Sequence, residues 1–169
     1  MSKEIWKPVV GYEGSYEVSN NGRIFSIPRL NSRGFSRRGR FLKPAPDTSG
    51  HLQVGLSRNG IQSRKAVHRL VLEAFVGPCP PGMEACHWDD DPTNNRLENL
   101  RWDTRSANDA DMVRNGNHNM ARKMFCKHGH PFDAVNTYVK PNGSRDCREC
   151  RRNAAKKHRD KAHFVRKAA

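Results

Sequence analysis

Residues 84–109, EACHWDDDPTNNRLENLRWDTRSAND, hold a histidine, three consecutive aspartates and several asparagines. Residues 83–88 are predicted to form a short strand that delivers His87, and the Asp-Asp-Asp-Pro that follows is typical of a turn. Asn94 and Asn95 continue an irregular loop. Apolar anchors then follow at Leu97, Leu100 and Trp102. This density of polar groups between apolar anchors indicates a functional site.

A helix is predicted directly after these anchors. Thr104 is a good N-cap residue, because its hydroxyl can accept a hydrogen bond from a backbone N–H of the first turn, and Gly116 suits the C-terminal end. The helix should therefore cover about residues 105–114 and carry Asn108 in its first two turns. A strand-borne His87 and a helix-borne Asn108 can then face each other across a small site.

This stretch offers groups that suit phosphodiester hydrolysis. The reaction needs a base to activate water, a cation to neutralise charge and a rigid arrangement of both. His87 suits the base, because an unperturbed imidazole has a pKa of about 6.5. Oxygen ligands suit a hard cation such as Mg²⁺, and Asn99 can hold the loop by hydrogen-bonding its backbone. Asn99 lies twelve positions after His87, and Asn108 lies nine positions after Asn99.

The stretch resembles the HNH (ββα-metal) endonucleases of the phage and intron homing type. The matching residues are CHWDDDPTNNRLENLRW, at 86–102, followed by Asn108. Upstream, WKPVVGYEGSYEVSNNGRIFSI, at 6–27, is similar to the small β module that precedes the nuclease motif in many of these enzymes. VHRLVLEAFVG, at 67–77, is similar to the helix between the two. The three motifs occur in the family's order over roughly residues 4–115.

The resemblance implies a role for each polar residue. His87 is then the general base that activates water for attack on phosphorus, Asn99 shapes the loop and orients the base, and Asn108 is a metal ligand. It also implies double-stranded DNA as the partner, Mg²⁺ or Mn²⁺ at this site, and products with 5′-phosphate and 3′-hydroxyl ends. A monomer, the state we expect, would nick one strand per engagement, whereas a dimer or repeated engagement would give a double-strand break. The resemblance further implies a cytoplasmic protein, encoded by a bacteriophage and made in a bacterial host.

Cys86 departs from the family pattern, in which an Asp often stands immediately before the catalytic histidine and binds the metal. A thiolate is a poor partner for Mg²⁺ and prefers softer ions. Three alternatives stay open: Asp89 or Asp90 replaces the missing ligand, Cys86 binds a softer metal, or Asn108 holds the ion together with waters and a DNA phosphate. The departure also leaves open a second interpretation, in which the chain is a catalytically impaired HNH-fold protein with a DNA-binding or regulatory role.

Short antiparallel strands are predicted upstream of this site. Asn20-Asn21-Gly22 is typical of a hairpin turn between two strands. Residues 67–75, VHRLVLEAF, change to helical spacing of their apolar side chains. His68 on this helix is expected to be a structural residue, not a catalytic one. The predicted strands are residues 16–18, 23–25, 52–56 and 62–67.

A second constellation lies in the C-terminal part. Cys147 and Cys150 form a CxxC, and Cys126 and His130 precede it by about twenty residues, which fits a tetrahedral Zn²⁺ bound by three Cys and one His. His128 is the alternative to His130, which we prefer because CKHGHPF resembles the zinc-knuckle tails of some phage HNH proteins. A strand-like segment between the halves predicts a small zinc ribbon. The other interpretation is a set of free cysteines.

Basic residues concentrate in two segments. Residues 29–40 hold five Arg and are either a solvated loop or a mobile arm for phosphate or a minor groove. Residues 122–169 hold 14 Lys and Arg against 4 Asp and Glu, and their helix-favouring end is either a solvated tail or a DNA-backbone contact. The residues predicted to bind DNA are Arg33, Arg37, Arg38, Arg40, Arg151, Arg152, Lys156 and Lys157.

The composition limits the class of protein. A net charge of +14 in 169 residues indicates a polyanionic partner. No apolar run reaches the ~18 residues of a membrane span. The N-terminus lacks the apolar segment of a signal peptide, so the sequence does not suggest secretion. Five cysteines, an odd number, fit a reducing compartment better than disulfides. An RNA-binding module is a third function, disfavoured because an aromatic stacking platform is not obvious.

The sequence thus predicts an α+β chain of three parts. Residues 1–66 should form an antiparallel β module with the basic arm. Residues 67–117 should form the ββα-metal HNH core, and residues 118–169 a zinc ribbon with a basic helix.

Overall fold

The computed structural model describes residues 3–30, 34–141 and 143–167, with side chains described as far as residue 161. The chain divides into two compact units, Met1–Asn117 and His118–Ala169. None of the helices in the described ranges combines the length and apolar character that crossing a bilayer requires. Arg33, one of the predicted DNA contacts, lies outside the described residues.

The first unit is built mainly from antiparallel strands. One sheet has the order β1-β2-β3-β6, a second has the order β7-β8-β9, and β4-β5 and β10-β11 are separate pairs. Its strands are β1 (Trp6–Pro8), β2 (Tyr16–Ser19), β3 (Ile24–Ser26), β4 (Arg29–Leu30), β5 (Ser36–Arg37), β6 (Arg40–Phe41), β7 (Ala45–Pro46), β8 (Leu52–Arg58), β9 (Ile61–Ala66), β10 (Glu84–His87) and β11 (Leu100–Asp103). Together with the helices, they confirm the predicted α+β class.

The hairpin predicted at the N-terminal end is confirmed. Strands β2 and β3 pair antiparallel with Val18 opposite Ile24, and both side chains are buried. Gly22 closes the turn with a φ of 78°, a left-handed conformation that a residue with a Cβ adopts only with strain. The period-2 alternation of the two strands therefore directs one face toward the core.

The core forms where helix α1 (Val67–Phe75) packs on the sheets. This helix follows β9 without a loop and contacts β2, β8, β9 and β11. Its apolar face joins strand residues in one cluster, so the predicted β module and the predicted HNH core share their buried surface. The boundary at residue 66 stays a prediction. The cluster contains Val9, Tyr16, Val18, Ile24, Val54, Leu56, Val67, Leu70, Val71, Leu72 and Leu100.

A ββα element completes the first unit. Strand β10 pairs antiparallel with β11, with His87 opposite Leu100. The sequence pattern did not predict β11, where Leu100 and Trp102 were expected only as apolar anchors. Helix α2 (Arg105–Arg114) begins after Thr104, whose Oγ1 accepts a hydrogen bond from the backbone N–H of Ala107 at 3.3 Å. The predicted N-cap and helix are therefore confirmed.

Residues 29–40 are not a featureless loop where they are described. Strand β4 pairs with β5, and Arg40 in β6 lies opposite Ser26 of the main sheet. The interpretation of these residues as a solvated loop is wrong, because their backbones pair in short strands. The sequence did not indicate this pairing, since the segment has few apolar residues. Arg37, Arg38 and Arg40 are exposed.

The second unit is small and holds little apolar core. It contains helix α3 (Asn119–Arg122), strands β12 (Thr137–Val139) and β13 (Arg145–Cys147), and helix α4 (Arg148–Lys167). The two strands pair antiparallel with Tyr138 opposite Asp146 and form a hairpin. Among the described residues of this unit, Cys147 is the buried apolar side chain.

Candidate active site

His87 and Asn108 meet at one cavity, as the spacing predicted. His87 ends β10 and is only 5% exposed, and Asn108 lies on the facing helix α2. The cavity has a volume of about 250 Å³. Its lining comprises Ser49, His51, Ala85, Cys86, His87, Asp90, Pro92, Asn108, Met112 and Asn117. A strand, a helix and three loops therefore bring polar groups to one concave surface.

Asn99 fastens the loop that follows His87. Its Oδ1 accepts a hydrogen bond from the backbone N–H of Asp89 at 3.2 Å. Its Nδ2 donates to the Asn94 carbonyl and to Asp89 Oδ1, both at 2.9 Å. The buried amide thus ties both ends of the turn, and the side chain reaches loop backbone as expected for this residue.

Both carboxylate oxygens of Asp89 accept hydrogen bonds within the same loop. Besides Asn99, its Oδ1 accepts from the backbone N–H of Asp91 at 2.9 Å, and its Oδ2 accepts from Asn94 Nδ2 at 2.6 Å. Desolvation acts to raise the pKa of Asp89, but these hydrogen bonds outweigh it and hold the pKa below the usual range. Asp89 is therefore an ionised part of the turn, whereas Asp90, the other alternative, lines the cavity.

Cys86 has the character of a neutral thiol. It is 1% exposed, and burial, reinforced by the charge of Glu84, raises its pKa to about 11. A cysteine binds a metal as the thiolate, so an ion at Cys86 would first have to displace this proton. The alternative in which Cys86 binds a softer metal is therefore disfavoured by its surroundings.

Asn108 keeps an oxygen available on the cavity side of helix α2. Its Nδ2 donates to Glu84 Oε1 at 3.1 Å, which fixes the side-chain amide. The Oδ1 atom then remains as an acceptor for a hard cation. Glu84 escaped sequence reasoning, although its position two residues before Cys86 on a strand places both on one face.

Three histidine rings cluster at the site. The centroid of His87 lies 5.5 Å from that of His51 and 5.2 Å from that of His68, and the latter two are 4.9 Å apart. Burial, with the charges of the other two rings, lowers the pKa of His68 to about 3. Burial also lowers the pKa of His87, opposed by a hydrogen bond from its ring to Asn95. The cluster is therefore neutral at His68 and His87 near neutral pH.

Asn95 is the second residue that sequence reasoning missed. Its Oδ1 lies 3.1 Å from His87 Nε2, and the side chain is only 4% exposed. His51, which reaches the cavity from the turn before β8, was missed as well. The adjacent Asn94-Asn95 pair was a visible signal, but the sequence did not indicate which amide contacts the histidine.

An ion-pair network fastens α2 to the strand pair. Asp111, buried on α2, accepts from Arg101 and from Arg114. These bonds, that from Arg101 foremost, lower the pKa of Asp111. Because Arg101 lies on β11, the network holds the helix that carries Asn108 against the strands that carry His87.

Comparison with known proteins matches two families to this architecture. Residues 65–110 match the HNH endonuclease family, and residues 4–57 match the NUMOD4 motif. The chain carries an HNH endonuclease domain preceded by a NUMOD4 motif. The HNH domain spans His87, Asn99 and Asn108, so the family resemblance found in the sequence is confirmed.

Relatives come from a phage and a large virus. The DNA endonuclease I-HmuI of Bacillus phage SP01 is 33% identical over 117 residues, which cover 69% of this chain and 62% of the relative. An uncharacterised HNH endonuclease of Acanthamoeba polyphaga mimivirus is 36% identical over 110 residues, covering 62% of this chain and 25% of that protein. The chain thus spans less than two thirds of these relatives.

A solved structure supports the same assignment. The HNH homing endonuclease I-HmuI, described for its DNA binding and cleavage, superposes with a TM-score of 0.56 at 33% identity. The match covers 70% of this chain and 63% of that chain. The similarity therefore extends to the fold around the HNH domain.

Outside the HNH domain, the second unit gathers four donors. In the described ranges, Cys126, His130, Cys147 and Cys150 could hold a metal ion, with donor atoms within 4.8 Å of one another. His130 Nδ1 lies 3.4 Å from the sulfur of Cys150 and 3.6 Å from that of Cys147. The structure thus gathers the four predicted ligands, with His130 and not the alternative His128 among them.

The sulfur of Cys147 is also supported by N–H donors. The backbone N–H of Cys150 and Asn136 Nδ2 donate to it at 3.4 and 3.2 Å. Desolvation acts to raise the pKa of Cys147, but these hydrogen bonds lower it to about 6. Such donors favour the thiolate, the form in which a cysteine binds a metal.

The predicted DNA contacts of the second unit are exposed on helix α4. Arg151 stacks on Tyr138, with 4.5 Å from the guanidinium carbon to the ring centroid, and Arg152 pairs with Glu149 at 2.5 Å. Lys156 and Lys157 follow on the exposed helix surface. These side chains are positioned at the protein surface, where a polyanion can reach them.

Proposed function

We propose that this protein is a metal-dependent DNA endonuclease that hydrolyses phosphodiester bonds at the cavity around His87. One observation carries the proposal: within an HNH domain, His87 and Asn108 line the same cavity from facing elements. I-HmuI, which shares this domain and fold, is a DNA endonuclease. Double-stranded DNA is the partner that the net charge of +14 favours.

His87 acts as the general base. Burial lowers its pKa, so the ring is unprotonated at neutral pH and can accept a proton from water. Asn99 contributes rigidity, since it ties the backbone of the loop after His87. The attacking oxygen becomes bonded to phosphorus while the 3′ oxygen of the sugar departs, which gives 5′-phosphate and 3′-hydroxyl ends.

Asn108 is the residue that would hold a divalent cation, Mg²⁺ or Mn²⁺, through Oδ1. Waters and a phosphate of the DNA would complete the ligand set, because Cys86 is a thiol and Asp89 is engaged in the loop. When bound, such a cation supplies neutralisation of charge on the phosphate. Asp90 remains the nearby carboxylate that lines the cavity.

A Zn²⁺ ion in the second unit would be structural. A tetrahedral Zn²⁺ with bonds of ~2.3 Å to sulfur and ~2.0 Å to nitrogen separates its donors by roughly 3.5–3.8 Å. Four of the donor separations lie between 3.4 Å, for Cys150 and His130, and 3.6 Å, for Cys126 and Cys150, and all the donor atoms lie within 4.8 Å of one another. These separations support zinc as the ion at this site.

The exposed basic residues would supply affinity for the DNA backbone. Each phosphate contact by Lys or Arg releases counterions, so binding should weaken steeply as salt rises. The residues assigned this role are Arg37, Arg38, Arg40, Arg151, Arg152, Lys156 and Lys157. Arg33, which belongs to the same basic segment (residues 29–40) as Arg37, completes the proposed set of contacts.

The test is cleavage of supercoiled plasmid by wild-type protein and His87→Ala during titration with Mg²⁺ or Mn²⁺. The wild type should nick DNA only with metal, and the variant should lose about 10²–10⁴-fold in rate, the usual contribution of a general base. Binding of the same DNA, measured by gel shift without metal, should be unchanged. Wild-type cleavage by His87→Ala would refute the assignment.

A catalytically impaired DNA-binding protein is the second candidate, and Cys86 favours it. The neutral thiol stands where family members often have an aspartate metal ligand. Cys86→Asp separates the two functions in the same plasmid assay. If the wild type binds DNA without cutting it and the variant gains metal-dependent nicking, the protein is a catalytically impaired DNA-binding protein.

A further inference from the structure

The hydrogen bonds of Asn95 determine which of its side-chain atoms faces His87. Its Nδ2, which can only donate, lies 3.2 Å from the carbonyl oxygen of Thr93. The amide oxygen Oδ1 therefore points the other way and lies 3.1 Å from His87 Nε2. Since Oδ1 can only accept, Nε2 must carry the hydrogen of this bond.

This bond selects one tautomer of a neutral imidazole. With a proton on Nε2, the lone pair of the ring is on Nδ1. No further hydrogen-bond partner of the His87 ring occurs among the described residues. Asn95 thus leaves Nδ1 as the basic atom of a ring that is otherwise surrounded by His51 and His68.

The N-terminal hairpin turn holds Asn95 in place. A Cβ placed on Gly22 would lie 2.8 Å from the Cβ of Asn95 and 2.9 Å from its carbonyl oxygen, so the two backbones pack with no room for a methyl group. Two residues further on, the N–H of Leu97 donates to the Asn20 carbonyl at 2.8 Å. The turn of the NUMOD4 motif is therefore packed against the loop of the HNH domain.

We propose that Asn95 is the positioning residue of the general base, holding His87 in the Nε2–H tautomer, and that the turn at Gly22 holds Asn95. The inference rests on the proposed function in that it takes His87 as the base. Under this assignment, the NUMOD4 motif contributes to the active site of the HNH domain in addition to any contact with DNA. Asn95 itself need not touch substrate.

The tautomer can be measured without any cleavage. In protein labelled with ¹⁵N-histidine at about pH 8, where ordinary imidazoles are neutral, NMR distinguishes protonated from unprotonated ring nitrogens. The His87 signals, assigned by their loss in His87→Gln, should show a hydrogen on Nε2 in the wild type. Asn95→Leu should give a mixture of tautomers, whereas Asn95→Asp, which keeps an acceptor oxygen, should retain the Nε2–H form.

Cleavage rates at saturating DNA give the second readout. Asn95→Leu should slow cleavage at least about tenfold but by no more than His87→Ala, since only the orientation of the base is lost. The dissociation constant for DNA should not change, and Asn95→Asp should restore most of the rate. A purely structural role for Asn95 would not produce this rescue together with the tautomer change.

Two glycines with similar backbone conformations test the hairpin contact. Gly22 has a φ of 78° and Gly14 a φ of 69°, but a Cβ at Gly14 would meet nothing within 4 Å. Gly22→Ala should disturb the His87 tautomer and slow cleavage, whereas Gly14→Ala should carry the same backbone strain without either effect. Equal behaviour of the two variants would overturn the hairpin part of the proposal.

The outcomes are separable from those of the proposed function. If the wild type carries its hydrogen on Nδ1, or if Asn95→Leu keeps the wild-type tautomer and rate, the positioning role is refuted. If the tautomer shifts as expected while His87→Ala still cuts DNA, the geometry stands and the assignment of His87 as the base fails. Should Asn95→Leu not fold, Asn95→Asp and Gly22→Ala provide the same NMR comparison.

Discussion

The two units of this protein reach a stable structure in different ways. Unit Met1–Asn117 buries an apolar cluster that joins α1 to two sheets. Unit His118–Ala169 has Cys147 as the buried apolar side chain in its described part, and leaves Val135 and Val139 exposed. A small unit that cannot bury enough apolar surface usually needs a disulfide or a structural metal ion for stability. Here the four gathered Cys and His donors are placed where they could bind such an ion.

Polar side chains also serve the two units differently. In the first unit, buried polar groups such as Asn95, Asn99 and Asp111 form separate hydrogen bonds that shape a cavity. In the second unit, polar donors converge on one point. The first arrangement keeps its geometry through packing, while the second, under the proposal made above, would keep its geometry through a bound ion. The same treatment should therefore affect the two units unequally.

Removal of the metal from the second unit should have the largest effect. Structural zinc contributes on the order of 10 kcal/mol to small domains, so chelation should unfold β12, β13 and the start of α4. Hydrogen exchange followed by mass spectrometry should show lost protection in this unit only, with Cys147→Ser giving the same pattern. Unchanged protection after complete loss of zinc would show that the site is not structural.

Local signals explain which parts of the fold the sequence predicts. Thr104 and Gly116 mark the ends of α2 through their own backbone chemistry, and the hairpin at Gly22 needs a left-handed residue. These features depend on a few neighbouring residues. The spacing of Cys126 and His130 before the CxxC is of the same kind, because a tetrahedral ion limits how its ligands can be arranged along the chain.

Contacts between distant segments account for what the sequence does not predict. His51 precedes β8, which packs with the helix that carries His68, and Asn95 packs against a turn about seventy residues earlier in the chain. Strand β11 was missed because its pairing with β10 depends on that partner, not on its own alternation. Family resemblance supplied the roles proposed for His87, Asn99 and Asn108.

Truncation of one apolar side chain in each unit sharpens the comparison. Leu72 is fully buried in the core, so Leu72→Ala should lower the free energy of unfolding by about 2–5 kcal/mol. Val139 is 59% exposed, so Val139→Ala should change it by no more than about 0.5 kcal/mol. Urea unfolding can follow the first unit by tryptophan fluorescence, since Trp6, Trp88 and Trp102 all lie in it.

Hydrogen exchange of the second unit in Val139→Ala, with zinc bound, completes that measurement. Equal losses of stability in the two units would contradict the contrast between a packed core and an ion-held fold. A large loss for Val139→Ala would mean that the second unit relies on apolar contacts after all.

Acid should have a smaller effect than removal of the metal or Leu72→Ala, and it should act on the first unit through His68. Burial lowers the pKa of His68 to about 3, below the ~6.5 of an unfolded histidine. As pH falls below 6.5 the unfolded chain binds a proton that the folded chain rejects, so stability present above that pH is lost by up to about 1.4 kcal/mol per pH unit. Urea titrations from pH 7 to pH 5, read by tryptophan fluorescence, measure this slope.

His68→Phe isolates the contribution of this one ring. None of the described residues hydrogen-bonds to the buried Nδ1 atom of His68, so an aromatic ring that lacks this atom should fit while removing the titration. The variant should show a shallower pH dependence than the wild type, although the buried His87 leaves some slope. An unchanged slope would mean that His68 is protonated in the folded protein. In that case the slope between pH 7 and pH 5 would come from His87, because the lowered pKa values of Asp89 and Asp111 mean that these carboxylates lose their stabilising effect only at more acidic pH.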